Sequence, residues 1–375
     1  MGFSARLLLH RLLLMLTLLA ALPYVMAALV PYLGKAAHRV PDWLVVFFPV
    51  TGTLLLLLGL VWLAIRPRRA LWVGLILLTG WKTAGVLVAL PPARGFGATR
   101  PPGSLRVVTW NVARFQELRR NDNAGSRVRQ AMMDLLRRQD ADLVCLQEFF
   151  SSRNPAYYDN LDYIRRELRY PYFYFSYDED GHDMYYSSVI FSRLPILDTT
   201  KIYFPRPGLP EALLRADIAW GADTLSVFTT HLQSVQFRPD DYTRLDEIRE
   251  GRDSLIQHSR SLLGKLGRAG ALRAGQADLV KRALAASPHP VLFCGDLNDV
   301  PGSYTYFTVR GDLRDAFLEG GSGLGRSFSG ISPTLRIDYI FHDRRLRVVQ
   351  FNRVVKILSD HYLQAADLVR VRQEP

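Results

Sequence analysis

A carboxylate and a carboxamide stand two residues apart at the end of a short apolar run. Asp296 and Asn298 follow Val291–Gly295, and an apolar run that ends in glycine predicts a buried strand. Residues two apart on an extended backbone project from the same face, so both side chains would emerge together. Such a pair suits a phosphate or a metal ion, although Asp and Asn also commonly form a turn after a strand.

The same arrangement recurs along the chain. Other apolar runs predict strands with a polar, chemically capable side chain at or near one end: Leu105–Trp110 with Asn111, Asp142–Leu146 with Gln147 and Glu148, Leu225–Thr230 with His231, and Arg336–Phe341 with Asp338. Near the C-terminus, Ser359, Asp360 and His361 place a second histidine beside a carboxylate. Any one of these residues could be a cap, a turn or a buried core histidine, but together they predict one shared site.

Helical patterns lie between the predicted strands. The apolar spacing predicts a helix over Arg127–Arg138 with Ser126 as its cap, and Asn154-Pro155 predicts the start of another that runs to about Leu168. Residues 240–286 predict two or three helices that are broken near Gly264–Gly275. Strands interleaved with helices predict an α/β fold in which two packed sheets are flanked by helices.

The first part of the chain is strongly apolar. Residues 7–30, 43–65 and 70–90 are each near the ~20 residues that a helix needs to cross a bilayer, which predicts a bundle of about three transmembrane helices. A cleaved signal peptide is the alternative for the first run only. Lys82 lies inside the third run, either as an intramembrane functional group or as the mark of a broken helix end at Thr79–Lys82.

Composition divides the chain into three parts. Residues 1–90 form the predicted transmembrane region, residues 91–104 a linker rich in Pro and Gly, and residues 105–375 a large domain. Most of the net charge of +12 belongs to residues 1–104, which hold ten basic residues and one acidic residue. The remaining 37 basic and 34 acidic residues nearly cancel, which weakens any argument for nucleic-acid binding from net charge.

The basic residues that flank the apolar runs bear on membrane orientation. Five of them, at positions 6, 11, 66, 68 and 69, would lie on one side, and four, at positions 35, 39, 94 and 100, on the other. By the positive-inside rule, the one extra charge favours a cytoplasmic N-terminus and a large domain on the non-cytoplasmic side.

The order of the polar motifs resembles that of the endonuclease/exonuclease/phosphatase superfamily, from Leu105 to about Val371. The motifs that carry this resemblance are Thr109-Trp110-Asn111-Val112, Leu146-Gln147-Glu148, Thr230-His231-Leu232, Gly295-Asp296-Leu297-Asn298, Ile337-Asp338-Tyr339-Ile340 and Ser359-Asp360-His361. The superfamily includes pancreatic-type DNases, abasic-site endonucleases, inositol polyphosphate phosphatases and neutral sphingomyelinases. The resemblance implies a four-layer, DNase-I-like sandwich, and the apolar helices look like those of a membrane-anchored bacterial branch.

The resemblance also implies which residues hold a metal ion. Glu148 would be the main ligand of a Mg²⁺, a hard ion that prefers carboxylate and water oxygens, with Mn²⁺ as a possible substitute. Asn111 would support that metal or the phosphate. Asp360 would be a second metal contact or would stabilise the His231 side.

The same resemblance implies the catalytic groups. His361 would be the general base, oriented by Asp338, because a neighbouring carboxylate raises the basicity of an imidazole. Asp296 would position or activate the attacking water, and Asn298 would donate to a phosphoryl oxygen. His231 would contact the scissile phosphate. Whether His361 or Asp296 takes the proton of the water stays open.

Two departures from the DNA-repair members narrow the resemblance. Ala113 stands where some of those members have an acidic metal ligand, and His231 stands where they have a tyrosine. Both point towards the branch with two histidines, which includes DNases and sphingomyelinases. Arg215 and Arg326 are candidate substrate contacts, and Arg326 lies in the Gly-rich stretch Gly320–Gly330, which is interpreted as a mobile loop on the substrate side.

The predicted function is a membrane-anchored, Mg²⁺-dependent phosphodiester hydrolase of the nuclease type, in a bacterial inner membrane. A hydrolase of phospholipid or sphingolipid headgroups is the alternative, which the membrane anchor and the near-neutral large domain favour. A third reading is an inactive membrane adaptor that keeps the fold, and the full set of carboxylates and histidines argues against it.

Overall fold

The computed structural model describes residues 3–90, 96–97, 99–116, 127–179, 181–205, 207, 211–235, 255–330 and 335–371. The chain divides into two compact units. The first comprises Met1–Leu87, Ser234–Ala274 and Asp299–Phe307, and the second comprises Val88–Gln233, Gly275–Asn298 and Thr308–Pro375.

The first unit is built on five apolar helices near the N-terminus. These are α1 (Phe3–Leu29), α2 (Asp42–Val46), α3 (Phe48–Ile65), α4 (Pro67–Thr79) and α5 (Trp81–Leu87). In the described part of the chain, two helical stretches are long and apolar enough to cross a membrane, Leu7–Tyr32 with a mean hydropathy of 2.4 and Phe48–Ile65 with 2.2. They agree with the first two predicted spans, except that the second run is divided at Phe47 into α2 and α3.

The third predicted span is bent by 60° between α4 and α5. Gly80 lies at the bend, and a Cβ on it would approach the Tyr24 hydroxyl to 2.2 Å and the Phe48 ring to 2.7 Å. The bend thus brings the Gly80 backbone against two aromatic side chains, a contact that only glycine allows. The bend confirms the broken helix end predicted at Thr79–Lys82, and the Lys82 ammonium lies 4.4 Å from the centre of the Tyr32 ring.

The second unit contains two six-stranded sheets. The strands in chain order are β1 (Leu105–Asn111), β2 (Leu143–Ser152), β3 (Tyr172–Phe175), β4 (Met184–Ser192), β5 (Ile196–Tyr203), β6 (Ala212–Trp220), β7 (Asp223–His231), β8 (Val291–Asp296), β9 (Arg314–Asp315), β10 (Asp338–His342), β11 (Leu346–Val354) and β12 (Leu363–Arg370). The first sheet has the order β11-β12-β1-β2-β4-β3, and the second has the order β5-β6-β7-β8-β10-β9. Among the strand pairs that the structure describes, only β1 with β2 and β7 with β8 are parallel. Both sheets are therefore mixed.

Among the described residues beyond the apolar region, the helices are α6 (Arg127–Gln139), α7 (Asn160–Glu167), α8 (Leu255–Ala285), α9 (Tyr304–Arg310) and α10 (Ala316–Gly320). The predicted extent of α6 is confirmed, while its predicted cap Ser126 lies outside the described residues. The predicted start of α7 at Asn154-Pro155 is wrong. The helix begins six residues later because Asp159 is its cap, with a side chain that accepts from the Asp162 N–H at 3.0 Å.

The predicted break near Gly264–Gly275 is also wrong, because α8 is one continuous helix of 31 residues. Glycine inside a helix costs only about 1 kcal/mol relative to alanine, and α8 is otherwise rich in Leu, Ala, Arg and Lys, which favour helix. Along its described part, buried side chains recur at helical spacing, among them Leu262, Ala269, Ala277, Val280 and Leu284. That buried stripe stabilises the helix enough to tolerate the glycines.

The main core lies between the two sheets. Alternate residues of each strand face it, since successive side chains of a strand point to opposite sides. The core includes Val107, Cys145 and Ile190 from the first sheet and Leu214, Val227, Cys294 and Ile340 from the second. A second core packs Met132 and Leu136 of α6 and Ile164 of α7 on the other face of the first sheet. The prediction of two packed sheets flanked by helices is confirmed.

The strand pairing brings distant sequence motifs to one edge of the sandwich. The central strand β8 ends at Asp296, which is paired with His231 of the parallel strand β7 and with Asp338 of the antiparallel strand β10. In the first sheet, Asn111 at the end of β1 is paired with Gln147 of β2. The carboxyl ends of the parallel strands and the amino ends of the antiparallel neighbours therefore meet.

Part of the predicted linker is attached to the first sheet. The Gly97 N–H donates to Oε1 of Gln350 at 2.9 Å, and the Arg106 guanidinium lies 4.6 Å from the centre of the Phe96 ring. Arg100 forms a bidentate salt bridge with Asp142, with distances of 2.5 and 3.1 Å. The described residues of this segment are thus packed against the domain.

Candidate active site

Asp296 lies at the centre of a cluster of polar side chains and is fully buried. Its Oδ1 accepts from the Asn298 N–H at 2.8 Å, and its Oδ2 accepts from the Asn111 amide at 3.1 Å. The Nε2 atoms of His231 and His361 both lie 3.7 Å from the same Oδ2. One carboxylate oxygen is therefore surrounded by an amide and two imidazoles.

Glu148 shares the Asn111 amide with Asp296. The Asn111 nitrogen donates to Oε1 of Glu148 at 3.1 Å, while the Asn111 oxygen accepts from the Ala113 N–H at 3.0 Å. Glu148 sits in a β-bulge, where the pairing of β2 with β4 slips between Leu146 and Phe149, and its φ is +49°. The bulge turns the carboxylate into the cluster, and its side chain remains 28% exposed while that of Asp296 is fully buried.

His361 forms the first imidazole–carboxylate pair, with Asp338. Its Nδ1 lies 3.1 and 2.9 Å from the two carboxylate oxygens of Asp338. The backbone around the ring is fixed as well, because the Trp110 indole donates to the His361 carbonyl at 2.9 Å and the His361 N–H donates to Ser359 Oγ at 3.1 Å. Asp338 thereby keeps Nε2 of His361 facing Asp296.

His231 forms the second pair, with Glu211. Its Nδ1 lies 2.7 Å from Oε1 of Glu211, which is buried immediately before β6. On the other side of the ring, the Asn298 amide nitrogen lies 2.7 Å from Nε2 and donates to the Leu232 carbonyl at 2.9 Å. The Glu148 carboxylate is 3.8 Å from Nε2 of His231.

The electrostatics of the cluster follow from burial and charge together. Burial alone would lower the pKa of both imidazoles, but neighbouring carboxylates outweigh it. Asp338 and Asp296 raise the pKa of His361 to about 10, and Glu211, Asp296 and Glu148 raise the pKa of His231 well above 6.5. Burial also raises the pKa of Glu211 and of Asp338, and each histidine partner offsets part of that rise.

The donor set fits a divalent cation. Four carboxylates, those of Glu148, Glu211, Asp296 and Asp338, face two imidazoles, so negative charge remains even when both rings are protonated. Among the described residues, Asp296, Asp338 and His361 offer ligand atoms within 4.8 Å of one another, although Asp338 and His361 are already hydrogen-bonded to each other. Glu148 presents the more exposed carboxylate, of the type that hard cations prefer.

Three predicted site residues are not part of this cluster. Asp360 is exposed, and its Oδ1 accepts from the Ser359 hydroxyl at 3.1 Å. Arg215 contacts the carboxylates of Asp217 and Asp198. Arg326 donates to the Phe328 carbonyl of its own loop at 2.8 Å. The other predicted residues, Asn111, Glu148, His231, Asp296, Asn298, Asp338 and His361, are brought together.

Glu211 is a member of the cluster that sequence reasoning missed. It lies directly before the antiparallel strand β6, and the start of such a strand meets the same edge as the end of its parallel neighbours. Asp338 occupies the equivalent place at the start of β10 and was predicted from its motif. An acidic residue directly before an apolar run was therefore the available signal.

Arg114 and Tyr186 were missed as well. The Arg114 guanidinium lies 4.0 Å from the centre of the Tyr186 ring. Burial raises the pKa of Tyr186, and the charges of Glu148 and Glu211 raise it further, which places this tyrosine beside the cluster. Arg114 stands in a run of four non-glycine residues, 113–116, with φ between 43° and 60°. Such left-handed backbone is costly, and it accumulates at functional sites.

Comparisons with known proteins identify the family and the fold. The sequence profile described as Endonuclease/Exonuclease/phosphatase family matches residues 108–361. A search of curated proteins found no match. Among solved structures, an endonuclease/exonuclease/phosphatase from Beutenbergia cavernae is similar in fold, with a TM-score of 0.50 and 19% identity over 71% of this chain and 72% of that one.

Two further solved structures are similar at lower scores. The human Nocturnin catalytic domain has a TM-score of 0.49 and 13% identity over 73% of this chain and 97% of that one. A humanized D. rerio TDP2 has a TM-score of 0.48 and 18% identity over 71% of this chain and 99% of that one.

Proposed function

This chain belongs to the endonuclease/exonuclease/phosphatase family and is a phosphoric ester hydrolase, and from that premise we propose that it is a membrane-anchored phosphodiesterase that uses a divalent cation. The observation that carries the proposal is the arrangement around Asp296, where two imidazoles approach one carboxylate oxygen to 3.7 Å each. Hydrolysis of a phosphodiester needs groups that move a proton and groups that stabilise the charge of the phosphoryl oxygens, and both are present.

The attacking water lies against Asp296 and His361, and its proton passes to the Asp296 carboxylate. Oδ2 of Asp296 and Nε2 of His361 are 3.7 Å apart, so a water between them contacts both. Asp338 holds Nδ1 of His361 and, with Asp296, raises the pKa of the ring to about 10, which keeps it an imidazolium that can orient the water. Asn111 and the Asn298 N–H fix the Asp296 carboxylate, so its orientation is set before the substrate binds.

His231 serves the phosphate on the other side of Asp296. Glu211 fixes its ring, and the neighbouring Asn298 amide can donate to a phosphoryl oxygen alongside it. His231 donates to a non-bridging oxygen or protonates the leaving oxygen. Arg114 stacks on Tyr186 near Glu148, and its guanidinium binds a phosphate of the substrate. It takes the role that the sequence suggested for Arg215 and Arg326.

Glu148 would hold the divalent cation, Mg²⁺ or Mn²⁺, and Asn111 would orient the Glu148 carboxylate. When bound, such a cation neutralises charge on the phosphoryl oxygens and lowers the pKa of a bound water. The negative charge that remains in the cluster, even with both imidazoles protonated, gives the cation its electrostatic driving force.

The substrate class has two candidates. The first is a nucleic acid. The second is a lipid headgroup, which two observations favour. Leu7–Tyr32 and Phe48–Ile65 could anchor the chain in a bilayer. The loop that leads into Ser359 also exposes two apolar side chains, Val355 at 57% and Ile357 at 87%. Apolar side chains exposed beside a catalytic motif suit an enzyme that works at a lipid surface.

A substrate panel tests the proposal. The full-length chain in detergent is assayed with plasmid DNA, sphingomyelin, phosphoinositides, nucleotides and bis(4-nitrophenyl) phosphate, with Mg²⁺ and with EDTA. Cation-dependent hydrolysis of a diester supports the proposal, and the preferred substrate distinguishes a nuclease from a lipid phosphodiesterase. Hydrolysis that is unaffected by EDTA contradicts the role of the cation, and no hydrolysis of any diester contradicts the proposed function.

A further inference from the structure

The first half of the Gly-rich stretch between α10 and β10 is hydrogen-bonded through its backbone to Ala89, which follows the apolar helices. The Gly323 N–H donates to the Ala89 carbonyl at 3.0 Å, and the Ala89 N–H donates to the Gly323 carbonyl at 2.9 Å. Ala89 is two residues beyond the end of α5 and is buried. These reciprocal bonds form an isolated antiparallel bridge.

The second half of the same stretch holds the Asp338 backbone. Ser327 is fully buried, and its Oγ accepts from the N–H groups of Ile337 at 2.8 Å and Asp338 at 3.0 Å. The Ser327 N–H donates to the Leu335 carbonyl at 2.9 Å, and its carbonyl accepts from the Tyr362 N–H at 2.7 Å. Ser327 therefore connects the backbone at Asp338 with the residue that follows His361.

The next two residues contact the histidine motif directly. Phe328 forms a backbone bridge with His361, and the centre of its ring lies 5.0 Å from the centre of the imidazole. The Ser329 N–H donates to the Asp360 carbonyl at 2.7 Å. Together, Ser327, Phe328 and Ser329 touch both members of the Asp338–His361 pair.

The backbone in the middle of the stretch is closely packed, so it cannot compensate for a displacement at either end. A Cβ on Gly321 or on Gly325 would lie 2.5 or 2.4 Å from the Phe317 ring, so the backbone rests on that ring. Arg326 donates to the Phe328 carbonyl at 2.8 Å, and its own carbonyl accepts from Arg353. The structure thus shows a stretch held along its length, where the sequence suggested a mobile loop.

We propose that Ala89 and Gly323 are positioning residues for hydrolysis: their backbone bridge holds residues 323–329 in place, and those residues hold the Asp338–His361 pair. The segment directly after the last apolar helix is then part of the support of the active site. The inference rests on the proposed function for its effect on rate. Its structural part, the support of Asp338 and His361, is independent of the reaction.

Ala89→Pro removes one of the two bridge N–H groups, and Gly97→Pro is the matched control. Both positions lie between α5 and β1 and both lose one N–H bond, but the Gly97 N–H donates to Gln350 and not to the Gly-rich stretch. In the full-length chain, Ala89→Pro lowers kcat on bis(4-nitrophenyl) phosphate by about tenfold with little change in KM, since a small misplacement of catalytic groups acts on kcat. Gly97→Pro leaves kcat within about twofold.

Gly323→Ala is a second variant, in case Ala89→Pro does not fold. Gly323 and Gly103 have φ values of +70° and +72°, and in both an added Cβ has nothing within 4 Å. Gly103→Ala is therefore matched in backbone strain but lies in the turn before β1. We expect equal losses of thermal stability and a lower kcat only for Gly323→Ala. Gly323→Asn restores part of the rate, because Asn tolerates positive φ.

Hydrogen exchange at the Ile337 and Asp338 amides separates a failure of this inference from a failure of the proposed function. Exchange faster in Gly323→Ala than in Gly103→Ala supports the positioning role, even if the wild-type chain hydrolyses no diester. The positioning role is overturned if these amides exchange equally fast in Gly323→Ala and Gly103→Ala. It is also overturned if the two glycine variants of an active enzyme have the same kcat. The positioning role is overturned as well if Gly97→Pro lowers kcat as much as Ala89→Pro does.

Discussion

Two imidazole–carboxylate pairs flank Asp296, and they differ in what surrounds them. His361 with Asp338 and His231 with Glu211 both use Nδ1 towards the carboxylate, at 2.9 and 2.7 Å. Both turn Nε2 to Oδ2 of Asp296 at 3.7 Å. The difference lies in the other groups that contact each histidine.

His361 is supported mainly through its backbone and by the Phe328 ring, whereas Nε2 of His231 lies next to Asn298 and to the Glu148 carboxylate. His231 therefore lies on the side where a cation and the phosphate would be held. The Asp338–His361 pair lies on the other side of Asp296, where it can serve the water. From these different neighbours we propose different tasks for two pairs of similar geometry.

Asp296→Asn removes the carboxylate that both pairs face and has the largest expected effect. The amide keeps the size of the side chain but removes the charge that both imidazoles face, so kcat/KM should fall by roughly 10³-fold. Asp217→Asn is the control, because Asp217 is 3% exposed in the same sheet but lies outside the cluster. Kinetics on bis(4-nitrophenyl) phosphate, with thermal melting to verify folding, give the result. A loss smaller than about tenfold contradicts the central place of Asp296.

His361→Ala and His231→Ala should each lower kcat by roughly 10²-fold, the usual scale for an acid–base group. The two variants are compared on a nitrophenyl and on an alkyl phosphodiester. If His231 protonates the leaving oxygen, the better leaving group partly rescues His231→Ala and leaves His361→Ala impaired. Equal rescue of both variants, or rescue of neither, would show that the two pairs do not divide the reaction in this way.

Asp338→Asn and Glu211→Gln should each lower kcat by about tenfold, because an amide no longer stabilises an imidazolium. Double variants test the pairing. Asp338→Asn should add little to His361→Ala but multiply the effect of His231→Ala, and Glu211→Gln should show the reverse. Independent effects within a pair would mean that the carboxylate acts on something other than its histidine.

Arg215→Ala should have the smallest effect on activity, because Asp217 and Asp198 hold the guanidinium outside both pairs. Burial alone would raise the pKa of Asp217, but Arg215 lowers it below 3.8 in the folded protein. The ion pair therefore stabilises the fold above that pH and ceases to do so as the pH falls through the folded value. Denaturant unfolding should show a loss of roughly 1 kcal/mol at neutral pH that shrinks in acid. A raised KM would instead support a substrate contact.

The sequence predicted the site better than the supports of the site. Polar residues that interrupt apolar strands are visible in sequence, and the alternation of strands and helices limits which edge they share. Seven predicted residues met at the Asp296 cluster for this reason. Glu211 was missed because it precedes its strand instead of following one, and Arg215 was named for its charge although two carboxylates neutralise it.

Features that depend on distant contacts could not be predicted. The bulge at Glu148 depends on its pairing with β4, and the bridge between Ala89 and Gly323 joins residues 234 positions apart. The glycines of α8 suggested helix breaks because the free-energy cost of glycine in a helix can be read from the local sequence. The buried stripe that offsets this cost arises from tertiary packing, which cannot.

Cation binding by Glu148 tests the account most directly, because it does not require the natural substrate. Mg²⁺ or Mn²⁺ is titrated by calorimetry into the full-length wild-type chain, Glu148→Gln and the control Glu167→Gln, whose glutamate is exposed at the end of α7. The account predicts binding in the wild type and in Glu167→Gln, and an affinity lower by at least about tenfold, with lost hydrolysis, in a folded Glu148→Gln. Wild-type affinity and activity in Glu148→Gln would contradict it.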